Sequence, residues 1–112
     1  FVTINSNQAY AIWRIQESEE ELLQQLHPSL ANTGLYTTFR HPIKRLEWLG
    51  TRLAYQALCQ EWNIPCAPML KDLHGRPYLG DDHVHISLSH CFPFAGAILS
   101  KYIPVGIDLQ IP

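Results

Sequence analysis

The segment PIKRLEWLGTRLAYQALCQEW, Pro42–Trp62, decides the fold. Pro42 suits a first helical position, where its missing N–H has no partner to lose. Leu46, Leu49, Leu53, Ala57 and Leu58 recur at three- and four-residue spacing, which gathers them on one apolar stripe. Asn63 and Pro65 then end the helix. The spacing predicts one long helix over residues 42–62 with a face that needs covering.

The segments on either side supply that cover. Residues 8–15 read as a strand, with Ala9, Ala11, Trp13 and Ile15 on one face and Tyr10 and Ile12 on the other. Ser18 and Glu21 form a capping box that opens a short helix running to about His27, where Pro28 is expected to stop it. Residues 32–34 read as a turn. Residues 68–71 fit a strand and residues 72–75 a turn. Residues 84–89 alternate, with Val84, Ile86 and Leu88 inward and His85, Ser87 and Ser89 outward. Residues 94–100 fit a buried strand or a short helix, and strand is the expectation. Residues 105–111 alternate strictly, with Val105, Ile107, Leu109 and Ile111 on one face and Gly106, Asp108 and Gln110 on the other. The fold expected is α+β: an antiparallel sheet with a long helix packed on it, in a single lobe over residues 1–112.

The bulk numbers agree with one compact unit. A chain of 112 residues with 46% apolar residues can bury an ordinary core. Its net charge of −2 offers no broad basic field, so nucleic acid is not an expected partner. No apolar run approaches membrane-spanning length. Cys59, Cys66 and Cys91 are an odd set without paired spacing, which favours reduced thiols in a cytosolic setting. Cys59 and Cys66 read most simply as buried or idle thiols. The chain starts at Phe1 and stops straight after a strand-like segment, so a fragment of a longer protein is expected.

Four groups of residues can carry chemistry. Arg45 and Arg52 are seven apart, roughly 10 Å of rise on one helix face, so both guanidiniums can reach one extended anion; a solvated face with local salt bridges explains the same spacing. Gly75-Arg76-Pro77 sets a cation in a tight turn before a strand, which is also a common surface turn. Ser89 and His90 end a strand, where a hydroxyl and an imidazole can donate to phosphate oxygens or simply close the strand. They are poor candidates for a nucleophile–base pair, because neighbours on a strand point to opposite faces. Asp108 and Gln110 are two apart on one strand, so a carboxylate and an amide oxygen share a face and can hold Mg²⁺ with water and phosphate; an edge strand with polar residues toward solvent is the plainer alternative. His83 and His85 share a face near Cys91, but zinc lacks further ligands at recognisable spacing.

The order of these pieces resembles the 4′-phosphopantetheinyl transferases, in the style of the two-lobed, monomeric surfactin-synthetase and enterobactin-synthetase activators. The resemblance rests on Gly75-Arg76-Pro77, on Ile86-Ser87-Leu88-Ser89-His90-Cys91 and on Val105-Gly106-Ile107-Asp108. A softer match is Arg45-Leu46-Glu47-Trp48-Leu49-Gly50-Thr51-Arg52, and the whole spans roughly residues 8–112. It implies transfer of the phosphopantetheine arm of coenzyme A to a serine of an acyl or peptidyl carrier protein, with Mg²⁺ on the diphosphate. By position, Arg52 with Arg45 would contact the 3′-phosphate. Arg76 and Pro77 would line the adenine and phosphate entrance, Ser89 and His90 would hold phosphate oxygens, and Asp108 would ligate the metal. Such a transfer needs positioning and charge neutralisation more than an enzyme nucleophile, because the attacking hydroxyl belongs to the carrier protein.

Two features depart from the family's pattern. Gln110 stands where the family usually has an acid two residues after the aspartate. The second lobe's Trp-x-x-Lys-Glu-Ala-like helix does not occur. The resemblance therefore implies an N-terminal lobe supplying about half the site, inactive or nearly so without its C-terminal partner lobe. The alternative is a non-catalytic module of the same fold that binds coenzyme A or a carrier protein, which Gln110 favours; an unrelated structural domain is the blandest option.

Overall fold

A computed structural model describes residues 2–5, 7–31, 39–67, 69–71, 73–74, 77–79 and 84–101. The elements are β1 (Val2–Asn5), β2 (Gln8–Arg14), α1 (Glu19–Gln25), α2 (Pro28–Ala31), α3 (Pro42–Trp62), β3 (Leu70–Lys71), β4 (Pro77–Tyr78), β5 (Val84–Cys91) and β6 (Phe94–Lys101). The main sheet is antiparallel in the order β1-β2-β6-β5, and β3 and β4 form a separate two-stranded ribbon. The coarse α+β expectation therefore holds: an antiparallel sheet carries one long helix.

α3 has the predicted bounds, and its ends show why. At the start His41 Nδ1 accepts the Ile43 N–H at 3.2 Å, and Pro42 takes the first helical position. At the end Asn63 adopts the left-handed conformation, φ 53° and ψ 43°, and its N–H returns to the Cys59 and Gln60 carbonyls. The buried surface is broader than the predicted stripe. Trp48, Gly50, Thr51, Ala54, Tyr55 and Cys59 are buried beside Leu49, Leu53 and Leu58, whereas Leu46 and Ala57 are only half-buried. The reason is that α3 is covered twice, by β2 and β6 on one side and by α1 on another.

The sheet fits this helix through small residues. Ala9 and Ala11 of β2, with Ala95, Ala97 and Leu99 of β6, line the buried face. Gly50 is the point of closest approach. A Cβ there would stand 2.9 Å from both the Ala95 Cβ and the Ile15 Cδ1, closer than carbon atoms can pack. Residues 94–100 are a strand, as expected, joined to β5 through Phe92 and a cis Pro93.

α1 opens with the predicted capping box: Ser18 Oγ accepts the Glu21 N–H at 3.2 Å and Glu21 Oε1 accepts the Ser18 N–H at 3.1 Å. Pro28 does more than stop it, because it begins α2 from its own first turn. The joint is tied to α3 by Gln56, whose Oε1 accepts the His27 N–H at 2.6 Å and whose Nε2 donates to the Gln25 carbonyl at 2.9 Å. β1 was not predicted; of the strand read over residues 68–71, the described part is strand at Leu70–Lys71, and Pro68 lies outside the described residues.

Candidate functional site

Among the described residues, two of the segments in the resemblance, residues 45–52 and 86–91, are joined by a side-chain hydrogen bond. Glu47 lies in the first half of α3, and His90 lies near the end of β5, 43 residues later. The Glu47 Oε2 to His90 Nδ1 distance is 2.7 Å. A carboxylate only accepts, so Nδ1 carries the proton in this pair and Nε2 becomes the outward nitrogen. Glu47 is 14% exposed and His90 56% exposed, so the pair has a sheltered end and a wet end. The sequence presents His90 this way because it opposes Ala95, the residue that faces Gly50 of α3. Ser89 opposes Gly96 and so points to the other side of the sheet. The strand end that carries both residues thus divides them between two faces.

Arg52 occupies a different flank. Five residues separate it from Glu47, about 140° around the helix. Its guanidinium carbon lies 4.3 Å from the centre of the Trp48 ring, and Nη1 donates to Thr51 Oγ1 at 3.0 Å. The Thr51 hydroxyl in turn donates to the Trp48 carbonyl at 2.8 Å. Burial pulls the Arg52 pKa down to about 10, which still leaves it protonated at neutral pH. A desolvated, stacked guanidinium attracts an anion more strongly than a hydrated one.

Arg45 shares that flank but is engaged in the fold. Its Nε donates to the Phe39 carbonyl at 2.7 Å and Nη1 lies 3.5 Å from Glu19 Oε1 of α1. These contacts fasten the approach to α3 and the start of α1.

The remaining predicted residues are only partly visible. Pro77 opens β4, pairing with Lys71, and β4 lies against β5. Arg76, Asp108 and Gln110 lie outside the described residues, as do His83 and residues 105–111. Among the described residues no group of three or more His, Cys, Asp or Glu side chains can hold a metal ion. No helix among the described residues is long and apolar enough to cross a membrane.

A cavity of about 440 Å³ lies elsewhere, lined by residues that include Gln25, His27, Gln56, Cys59 and Cys66. It contains none of the predicted site residues. Sequence reasoning missed the role of Glu47, which reads as an ordinary helix-face carboxylate until β5 is seen beside it. The only signal was local: a carboxylate between Leu46 and Trp48, where the helix turns inward. In comparison with known proteins, the chain matches no family model, and no curated protein matches it.

Proposed function

We propose that this chain is the coenzyme A-binding lobe of a 4′-phosphopantetheinyl transferase, acting with Mg²⁺ on an acyl or peptidyl carrier protein. The observation that carries the proposal is the Glu47–His90 contact. It joins two motifs far apart in sequence and leaves an imidazole edge exposed at a strand end.

On this reading the chain's residues bind and orient. His90 donates to a diphosphate oxygen through Nε2 when that nitrogen carries a proton, and Glu47 fixes the ring's direction through Nδ1. Arg52 retains further N–H donors beyond the one given to Thr51 and offers them to a phosphate from its own flank. Asp108 and Gln110 would hold the metal, whose part is to offset charge on the diphosphate. The second lobe supplies the rest of the site, so the chain binds coenzyme A but transfers little or nothing alone.

Calorimetric titration of coenzyme A with and without Mg²⁺ tests this. The proposal expects Mg²⁺-dependent binding that weakens in His90→Ala and loses its metal dependence in Asp108→Ala. Binding indifferent to Mg²⁺ supports a non-catalytic binding module, the outcome that Gln110 favours. Absence of binding overturns both. Full turnover of a carrier protein by the 112-residue chain alone overturns the two-lobe arrangement.

A further inference from the structure

We propose that Cys59 and Cys66 form a peroxide-sensitive dithiol that closes to an intramolecular disulfide in the lining of the cavity beside α2. The two thiols come from different segments, the last turns of α3 and the stretch that follows it. Three contacts lay that stretch back along the helix. The Asn63 N–H reaches the Cys59 and Gln60 carbonyls, and the Ile64 N–H donates to the Cys59 carbonyl at 3.0 Å. The Tyr55 hydroxyl donates to the Ala67 carbonyl at 2.7 Å. Tyr55 and Cys59 are four apart and share a helix face. Cys66 is therefore held between anchors at Ile64 and Ala67, and it lines the same cavity as Cys59.

Hydrogen bonding with Cys66 holds the Cys59 thiol below its ordinary pKa, while hydrogen bonding with Cys59 and burial push Cys66 above. Both residues line the 440 Å³ cavity, which gives a small reagent a route to Cys59 although that residue is only 1% exposed. Cys91, the third free thiol, sits at the end of β5 and is not among the residues that line the cavity.

The chemistry divides between the two residues. The Cys59 thiolate attacks one oxygen of a hydroperoxide, and the O–O bond breaks. Its electron pair leaves on the other oxygen, which takes a proton to become water (or an alcohol), and Cys59 becomes a sulfenic acid. The Cys66 sulfur then attacks the Cys59 sulfur, the S–O bond breaks, and the Cys66 proton leaves with the hydroxide as a second water. Two thiols lose two electrons and the peroxide gains them. The resulting bond pins the stretch after α3 to the helix. It lies twelve residues along α3 from Glu47, about 18 Å, so it is independent of the proposed coenzyme A site.

The test is oxidation of the whole chain with one equivalent of hydrogen peroxide, followed by thiol titration in denaturant and peptide mapping. The titratable thiols are expected to fall from three to one. The map should link Cys59 to Cys66, leave Cys91 free, and return to three thiols after reduction. In Cys66→Ser the reaction should stop at Cys59 sulfenic acid, trapped as its dimedone adduct. Oxidation at Cys91 alone, a bond between chains, or survival of all three thiols in the wild type would each overturn the proposal. The wild-type map decides without any variant.

Discussion

Arg45 and Glu47 stand two positions apart on α3, and each makes a hydrogen bond of 2.7 Å, but to partners of different kinds. Arg45 reaches six residues back to the Phe39 carbonyl and across to Glu19. Both partners belong to the chain's own framework. Glu47 reaches 43 residues ahead to a side chain that is 56% exposed and keeps a second polar edge toward water. The contrast shows how a charged helix residue is sorted. A charge whose partner is a carbonyl or a rim carboxylate fastens the fold. A charge whose partner is a half-exposed imidazole sets the direction of a group that can bind something else.

The largest effect should come from the core between the two flanks. Leu49→Ala should lower stability by ~2–5 kcal/mol, because Leu49 is fully buried under the sheet. Urea unfolding should show it, and a loss below that range would mean that α3 packs more loosely than described. On the Glu47 flank, His90→Ala should weaken coenzyme A binding by about tenfold or more, the worth of a hydrogen bond to a charged group at ~1.5–3 kcal/mol, beside a stability loss of ~1–3 kcal/mol from leaving the sheltered Glu47 carboxylate without that partner. If stability falls and affinity does not, the Glu47 flank is framework like its neighbour.

On the other flank Arg52→Met should cost about 1–2 kcal/mol of stability, since the stacking on Trp48 is partly desolvated. Thermal unfolding at two salt concentrations should find that loss nearly independent of salt. Arg45→Met should cost less than about 1 kcal/mol and shrink further in salt, because the Arg45 and Glu19 side chains are 31% and 36% exposed. If Arg45→Met costs more than Arg52→Met, the ranking of the two arginines is reversed.

Much of the fold was legible because its signals are local. The α3 period, the Ser18–Glu21 box, the Asn63 stop and the alternation of β5 all act over a few residues. Pro28 misled because the residue that ends one helix is also well suited to begin another. The strand β1 was missed because Val2–Asn5 offers only a short apolar alternation. The burial of Thr51, Tyr55 and Cys59 was not legible, since it depends on cover from outside the stripe, such as the stretch after α3 whose Ala67 carbonyl accepts the Tyr55 hydroxyl. Of the candidate site, the residue types could be read, but their grouping could not. Sequence spacing put Arg45 and Arg52 on one face, and it takes Phe39 and Glu19 to show that one of them is already engaged. Ser89 and His90 are adjacent in sequence, yet the strand's pleat sends them to opposite faces.

The central claim is that Glu47 acts through His90 on a bound coenzyme A. A double-mutant cycle on coenzyme A affinity tests it most directly. Glu47→Gln should weaken binding in the wild-type background and change nothing further once His90 is alanine. An equal loss in both backgrounds, or no loss in either, would contradict the claim.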